Sequence, residues 1–349
     1  MKPVWGLLNA HDRRQFEIHL FSDTPAETPL PGYEPHPTDR VHFTAGMTNE
    51  DLVTLVRDAG VDLLVDLNGY GAPARLPIFL SRPAPTPVTW FNAYATSGLP
   101  GVDWILGDRV VVTPGEEHLF SEQVAVLDAC TLTFEVAHPV PEVVPPPCVK
   151  QGFVTFGSLA SQYKINPRVL DLWSEILRRA PRARLLMANR SLASPDNRAY
   201  VLDALADRGI PEARVTLRGP GRHLDFLRIY DEMDVALDTF PYSGGTTTME
   251  ALWQGVPVLT FRGDRWAART TETLLVHAGL SRYCCADADA LVDAAVALAG
   301  AADAPTRLAS LRHALRRRLR RAAVCNTAHM TAAMEGLYAG LACHPLRAR

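Results

Sequence analysis

The sequence contains little lysine, no zinc-type cysteine spacing, no apolar run long enough to span a membrane and no signal-peptide pattern. Its six cysteines include the adjacent pair Cys284 and Cys285, a poor disulfide pair, so the pattern indicates buried thiols in a reducing compartment. We therefore expect a cytoplasmic protein without a membrane partner. The high content of arginine, alanine and proline with few lysines is typical of a GC-rich bacterial genome.

No large excess of one charge is present either, because the net charge is −3. Nothing global therefore favours nucleic acid as a partner. The arginine-rich run at 316–321 could form a nucleic-acid patch, but leucines at 308, 311, 315 and 319 place it on an amphipathic helix, which favours a solvated basic face. The acidic run at 286–290 resembles a metal-ligand run, yet its position at a helix start favours complementation of the helix dipole. We expect no bound metal.

The length of 349 residues, 47% of them hydrophobic, favours two domains. Strand and helix patterns alternate, which predicts parallel α/β sheets. We place an N-terminal domain at 1–137, a proline-rich linker at 138–150, a second domain at 151–323 and a C-terminal helix at 324–349. The predicted strands are at 16–22, 62–67, 88–92, 103–108, 123–127, 153–156, 184–188, 214–218, 235–237 and the end of 234–261; the predicted helices are at 4–10, 49–59, 74–80, 168–179, 197–207, 222–230, 249–255, 267–278, 306–322 and 327–339.

The segment 234–261 carries most of the predicted chemistry. A short strand ends at Asp238, where a polar group would lie at the carboxyl edge of a sheet, and ligands bind at that edge in open α/β sheets. Gly244 and Gly245 permit a tight turn and a close approach of the backbone to a ligand. Thr246 and Thr247 follow at a helix start, where free N–H groups bind anions such as phosphate.

Further residues are predicted to lie near this segment. Glu250, one turn into the helix, suits a ribose diol. Lys164 follows another predicted strand and can reach a diphosphate as a point charge. His223 follows a third strand. On spacing alone, a glycine- and threonine-rich connection that merely caps its helix remains an equally open interpretation.

These motifs resemble the catalytic region of the O-GlcNAc transferase family, including its bacterial and SPINDLY-like members. The resemblance rests on FVTFGSLASQYKINP (153–167), DTFPYSGGTTTMEALWQGVPVLTF (238–261), NGYG (68–71), RPAPTP (82–87) and ATSG (95–98). It implies a GT-B fold, in which two Rossmann-like, doubly wound parallel-sheet lobes face a central crevice. The implied reaction is a metal-independent, inverting transfer of a sugar, expected to be GlcNAc, from a UDP-sugar to Ser or Thr of an acceptor protein, without a cofactor.

The resemblance also assigns roles to individual residues. Lys164 matches the lysine that holds the donor diphosphate and stabilises the leaving group. Thr246 and Thr247 match two residues of the GHTT motif that bind the diphosphate, Glu250 matches the acidic residue on the ribose, and His223 matches the histidine near the uracil. The segment Thr96, Ser97 and Gly98 falls in the loop near the sugar and the acceptor.

The sequence departs from the family pattern at three places. Gly245 stands where the GHTT motif has histidine. The first strand and the catalytic-site histidine that precede the helix at 4–10 in the family are absent, so we expect a first lobe without its first strand and interpret the chain as truncated or degenerate. The tetratricopeptide repeats that usually precede the catalytic region are absent too. The alternatives are a catalytically dead nucleotide-sugar-binding or scaffold protein, and another GT-B enzyme such as an N-glycosyltransferase or a sugar-nucleotide epimerase.

Overall fold

The chain divides into two compact units. The structure is a computed structural model that describes residues 3–25, 30 and 32–343. The amino-terminal unit comprises residues 2–137 together with 323–349, and the carboxy-terminal unit comprises residues 138–322. Parts of the predicted first domain (1, 2, 26–29 and 31) and the end of the predicted C-terminal helix segment (344–349) lie outside the described residues.

The amino-terminal unit contains two separate parallel sheets. Its helices are α1 (Pro3–Ala10), α2 (Asn49–Asp58) and α11 (Thr327–Cys343), and its strands are β1 (His19–Ser22), β2 (Arg40–Phe43), β3 (Leu63–Asp66), β4 (Thr86–Thr89), β5 (Trp104–Asp108) and β6 (Gln123–Leu127). Strand β1 pairs with β2, and the other four strands pair in the order β3-β4-β5-β6. Among the described residues, no strand precedes α1.

One strand of this unit lies elsewhere than predicted. Strand β4 begins at Thr86, inside the predicted proline run, rather than at 88, and it ends before Asn92. The N–H of Thr86 donates to Asp62 on the β3 side, whereas the carbonyl of Pro87 accepts from Asp103 just ahead of β5. Pro87 is tolerated in β4 because it faces β5, which begins only at Trp104. No ladder hydrogen bond is therefore lost through the missing N–H of Pro87. The structure also contains β2, which the sequence analysis missed, and forms a 3-10 helix at Pro73–Ser81.

The carboxy-terminal unit is built on one six-stranded parallel sheet in the order β12-β11-β10-β7-β8-β9. Its strands are β7 (Thr155–Ser158), β8 (Arg184–Ala188), β9 (Val215–Arg218), β10 (Val235–Leu237), β11 (Val258–Phe261) and β12 (Cys284–Cys285). Its helices are α3 (Cys148–Gln151), α4 (Pro167–Arg179), α5 (Pro195–Ala206), α6 (His223–Arg228), α7 (Thr246–Trp253), α8 (Trp266–His277), α9 (Ala288–Gly300) and α10 (Ala304–Leu319). From β7 the chain adds β8 and β9 on one side of the sheet and then β10, β11 and β12 on the other. The boundary between β7 and β10 is therefore the topological switch point, where ligands bind in such sheets.

Several elements of this unit start at other residues than predicted, among them β7 and α7. Strand β7 runs over Thr155–Ser158 instead of 153–156, because it pairs in register with β8 and with β10. Helix α7 starts at Thr246, three residues before the predicted start at 249, because β-branched threonines are tolerated in a first turn whose N–H groups need no intrahelical acceptor. The pair Cys284 and Cys285 forms the short edge strand β12, which was not predicted.

Helix α4 shows how the sequence positions Lys164, which lies just before the helix. The side chain of Asn166 caps the helix by accepting the N–H of Val169, and Pro167 takes the first helical position. An apolar stripe that includes Trp173 and Ile176 is fully buried against the sheet. Capping and burial together fix the start of α4, and with it the place of Lys164 three residues earlier.

Helix α10 carries the arginine-rich run and buries its leucine stripe, as predicted. Leu308, Leu311, Leu315 and Leu319 are buried. Most of the arginines from 316 to 321 are exposed, but Arg316 donates to the carbonyls of Trp253 and Pro141. The run is therefore mainly a solvated face, and one of its members fastens the proline-rich segment to the helix. Across the described helices, none combines the length and apolar character that crossing a membrane requires.

Candidate functional site

Asp238 fastens the loop that follows β10. Its carboxylate accepts the N–H of Gly244 on one oxygen and the hydroxyl of Thr260 on the other, both at 2.7 Å. Burial raises the pKa of Asp238, and the hydrogen bond from Thr260 acts in the opposite direction. With both oxygens occupied by donors of the chain itself, Asp238 positions the loop and leaves ligand contact to its neighbours.

The loop leads directly into the N-terminus of α7. Gly245 precedes the helix and provides no side-chain cap, so the N–H groups of Thr246 and Thr247 have no acceptor among the described residues. The Thr246 side chain is exposed and that of Thr247 is half-buried, whereas Thr248 is buried and lies 2.9 Å from the hydroxyl of Thr271. Free N–H groups at the positive end of a helix attract an anion such as phosphate.

Lys164 reaches the same loop from the other side of the switch point. It ends the 3-10 helix Gln162–Lys164 after β7. Its Nζ donates to the carbonyl of Ser243 at 2.7 Å and lies 3.6 Å from the ring centre of Tyr242. Burial lowers the pKa of Lys164 to about 8, against the opposing effect of the Asp238 carboxylate. The cation is held at the loop by a carbonyl and a ring, which a diphosphate can replace as partners.

Glu250 is a buried carboxylate near the same helix start. It is 7% exposed, and no hydrogen-bond partner of its side chain exists among the described residues. Burial raises the pKa of Glu250 to about 7. The neighbouring buried Tyr230 donates its hydroxyl to the carbonyl of Thr247 rather than to the Glu250 carboxylate. A buried carboxylate that receives no hydrogen bond from the described residues is a good acceptor for a ligand hydroxyl.

His223 does not contact this loop within the part of the chain that the structure describes. It is the first residue of α6, is exposed, and its Nε2 lies 3.2 Å from Nε2 of His138. Sequence reasoning missed His138, because it treated residues 138–150 as a linker. The only signal was its place at the start of that segment, beside a run of prolines.

The structure therefore brings Lys164, Asp238, Gly244 and Thr247 together around one loop, with Glu250 one turn further into α7. Thr96, Ser97 and Gly98 belong to the amino-terminal unit and are held there by Glu122, a residue that sequence reasoning also missed. The acidic run at 286–290 behaves as predicted, because the Asp287 side chain caps α9 by accepting the N–H of Ala290 at 2.8 Å.

We predict that Gly244→Ala disrupts the loop. A methyl group at this position would lie 2.3 Å from the Thr248 hydroxyl oxygen and 3.2 Å from that of Thr247. Such overpacking costs about 1–3 kcal/mol of stability. It would also displace the N–H groups that face the anion. We expect a lower melting temperature and a weakened shift of that temperature on addition of UDP, measured by differential scanning fluorimetry.

Gly300→Ala is the matched control for this prediction. It makes the same change at the end of α9, where an added methyl group meets nothing within 4 Å. We expect it to retain the response of the original chain to UDP. An unchanged UDP response in Gly244→Ala would show that the loop does not hold the ligand as inferred.

The fold and the site together define the chain as a two-unit α/β protein with helix N-terminal donors, a lysine and a buried carboxylate at the edge of a parallel sheet. A family model described as Glycosyl transferase family 41 matches residues 7–138 and 149–334. The chain therefore belongs to glycosyl transferase family 41.

Two curated relatives agree with this assignment. The probable UDP-N-acetylglucosamine–peptide N-acetylglucosaminyltransferase SPINDLY of Hordeum vulgare is 35% identical over 295 residues, which are 84% of this chain and 31% of that protein. The SPINDLY protein of Arabidopsis thaliana is 34% identical over 295 residues, with 84% and 32% covered. The chain thus spans about a third of the length of these relatives.

Solved structures support the same fold. The O-GlcNAc transferase of Thermobaculum terrenum, solved as a lysine-to-methionine mutant, matches with a TM-score of 0.87 and 35% identity over 97% of this chain and 64% of that chain. Sucrose-phosphate synthase from Thermosynechococcus elongatus matches with a TM-score of 0.56 at 14% identity over 97% and 91% of the two chains, a likeness in fold alone. The predicted family and the predicted GT-B class of α/β fold are confirmed.

Proposed function

We propose that the chain transfers a sugar from a UDP-sugar, with UDP-GlcNAc as the expected donor, to a Ser or Thr hydroxyl of a protein. The observation that carries the proposal is the meeting of the Lys164 ammonium group with the free N–H groups of α7 at one loop. A cation and helix N-terminal donors are the groups that a diphosphate requires. The names of the relatives, which describe peptide N-acetylglucosaminyltransferases, support the choice of donor and acceptor.

The proposed mechanism is an inverting displacement without a metal ion. The acceptor hydroxyl attacks the anomeric carbon from the face opposite the diphosphate, the bond from that carbon to the diphosphate oxygen breaks, and the hydroxyl proton is released. UDP leaves with the bonding electron pair. Lys164 and the N–H groups of Thr246 and Thr247 stabilise this developing charge, because they are already oriented before the reaction. Glu250 accepts the ribose hydroxyls of the donor. His223, with its neighbour His138, lies against the uracil ring of the donor.

The setting we propose for this activity is the cytoplasm of a bacterium. All six cysteines are free thiols in the described residues, which accords with a reducing compartment. The arginine-rich, lysine-poor composition supports the bacterial origin.

A ligand titration followed by a transfer assay tests the proposal. UDP, GDP and their sugar conjugates are added to the chain, and a ligand that binds the folded state must raise the melting temperature. We expect a selective response to UDP, transfer of N-acetylhexosamine to acceptor peptides detected by mass spectrometry, and no effect of EDTA. A UDP response without transfer would indicate the binding or scaffold alternative. Sugar turnover without a peptide product would indicate another GT-B reaction, and no response to any nucleotide would contradict the proposed donor site.

We predict that the affinity for UDP-GlcNAc depends on pH with a maximum between about 7 and about 8. Below pH 7 the carboxyl group of Glu250, whose pKa is raised to about 7, is protonated and loses its capacity to accept both ribose hydroxyls. Above pH 8 the amine of Lys164, whose pKa is lowered to about 8, loses the charge that attracts the diphosphate. Isothermal titration calorimetry at a series of pH values measures both effects.

The sugar conjugate is the right ligand for this measurement. Its diphosphate is esterified at both ends, so it carries no terminal phosphate that titrates near neutral pH. We expect Glu250→Gln to remove the loss of affinity at low pH and Lys164→Met to remove the loss at high pH. If both variants keep the full pH profile, other groups control binding.

A further inference from the structure

Glu122 is the centre of a hydrogen-bonded cluster around the predicted loop of Thr96, Ser97 and Gly98. It lies immediately before β6 and is 4% exposed. One carboxylate oxygen accepts the hydroxyl of Thr96 at 2.8 Å. The other accepts both the backbone N–H of Ser97, at 2.7 Å, and the Ser97 hydroxyl. Three donors from two adjacent residues thus converge on one buried carboxylate, and hydrogen bonds to a charged acceptor are the strong ones.

Both hydroxyl groups of the loop donate their proton within the chain. The Thr96 hydroxyl donates to Glu122 and accepts the N–H groups of Ser121, at 3.0 Å, and Gly98, at 3.2 Å. The Ser97 hydroxyl donates to Glu122 and accepts the N–H of Leu99 at 3.2 Å. Each hydroxyl has a single proton to donate. In this arrangement neither Thr96 nor Ser97 has a proton left for a substrate, so their predicted contact with a ligand cannot be a donated hydrogen bond.

A second anchor holds the loop from the other side. Tyr70, in the NGYG motif, donates its hydroxyl to the carbonyl of Ser97 at 2.6 Å. The next residue, Gly98, has a φ of +67°, and a methyl group added there would meet nothing within 4 Å. The anchored loop therefore presents the backbone at Gly98 with no side chain over it, and the Gly98 N–H is already bonded to the Thr96 hydroxyl. Glycine is suited to such a place because it permits both the left-handed conformation and a close approach.

We propose that Glu122 is a positioning residue for sugar transfer, which holds Thr96 and Ser97 so that the backbone at Gly98 meets the substrate. This inference rests on the proposed function. The substrate part concerned is the sugar, whose hydroxyl groups can donate to a backbone carbonyl of the loop, since the Gly98 N–H is already bonded to Thr96. By ordering the loop before the substrate arrives, Glu122 removes an entropic cost that would otherwise fall on the transition state.

The test compares Glu122→Gln with the matched control Glu50→Gln. Glu50 is an exposed glutamate of α2 in the same unit. A glutamine at 122 keeps the size of the side chain but replaces one acceptor oxygen by a donor, so it cannot accept all three hydrogen bonds. We expect a fall in kcat/KM of about 10- to 100-fold, carried mainly by kcat, because a loop misplaced by about 1 Å costs on this order. The response of the melting temperature to UDP should be unchanged, and the control should behave like the original chain.

A second measurement reports on the loop directly. Amide hydrogen exchange at Ser97 and Leu99 should become faster in Glu122→Gln, because the acceptor of the Ser97 N–H changes from a charged carboxylate to a neutral amide and the Leu99 N–H depends on the Ser97 hydroxyl. Tyr70→Phe removes the hydrogen bond to the carbonyl of Ser97 and leaves Glu122 unchanged. It should also lower kcat, but by less than Glu122→Gln does.

The outcomes separate this inference from the proposed function. An original chain that binds UDP but transfers no sugar would overturn both. An original chain that transfers sugar, with a Glu122→Gln variant that transfers equally well or keeps the same exchange rates at Ser97 and Leu99, would overturn the positioning role alone. A variant that loses activity only in proportion to a lower melting temperature, with a weakened UDP response, would show that Glu122 is merely structural.

Discussion

Replacing Lys164 with methionine is expected to reduce the rate of sugar transfer by about 10²- to 10³-fold while leaving the chain folded. Lys164 Nζ lies at the loop that leads into α7, and its only hydrogen bond among the described residues goes to the carbonyl of Ser243. In the proposed mechanism this cation stabilises charge that develops on the leaving diphosphate. The loss should therefore appear more strongly in kcat than in the affinity for the donor, because the interaction strengthens in the transition state.

Lys150→Met is the matched control for Lys164→Met. Lys150 is the exposed lysine of the short helix α3, and the sequence has only three lysines in all. Steady-state kinetics give kcat and KM for both variants, and circular dichroism with a melting curve reports on the fold. We expect the control to transfer sugar at the rate of the original chain. Full activity in Lys164→Met, or its failure to fold, would contradict the assignment of Lys164 to the diphosphate.

Replacing Arg312 with alanine is expected to have the largest effect on stability, a loss of about 3–5 kcal/mol. This guanidinium group is 2% exposed and donates to the carbonyls of Met233 and Tyr230 at 2.7 and 2.6 Å. Burial lowers the pKa of Arg312, while the carboxylate of Asp231, 3.8 Å away, acts in the opposite direction. Its removal would leave two carbonyls and a half-buried carboxylate without their cation, which costs more than the bonds themselves contributed.

Arg317→Ala on the same helix is the control for Arg312→Ala. Arg317 is exposed, and surface substitutions of this kind usually change stability by less than about 0.5 kcal/mol. Urea unfolding followed by tryptophan fluorescence measures both variants, since Trp173 and Trp253 lie in the same unit as Arg312. An Arg312→Ala variant as stable as the control would mean that water satisfies the freed carbonyls and that the guanidinium group is dispensable.

The position of Arg312 could have been read from the sequence in part. It follows Leu311 and stands four residues after Leu308, so it falls on the apolar stripe of α10 rather than on its basic face. A lone arginine among buried leucines must find acceptors. Which acceptors it finds, 79 and 82 residues away at Met233 and Tyr230, depends on how α10 packs beside the segment before β10.

The candidate site, too, could be predicted from the sequence only in part. The sequence placed Lys164, Asp238 and Thr247 at strand ends and helix starts, and the structure brings them to one loop. The sequence did not reveal Glu122, which lies 25 residues from Ser97, nor His138 beside His223, 85 residues away. An isolated glutamate or histidine has no local pattern that marks its partner, so spacing alone could not find these pairs.

The sequence by itself determined the alternation of strands and helices, the family and the residues that stand at the carboxyl ends of β7 and β10. These features depend on periodicity, glycine and proline, which act over a few residues. Only the tertiary structure decided which polar groups remain free. It engages the Thr96 and Ser97 hydroxyls with Glu122 and buries the Glu250 carboxylate where none of the described residues donates to it. Burial and hydrogen bonding arise between segments far apart in the chain, so they exist only once the fold has formed.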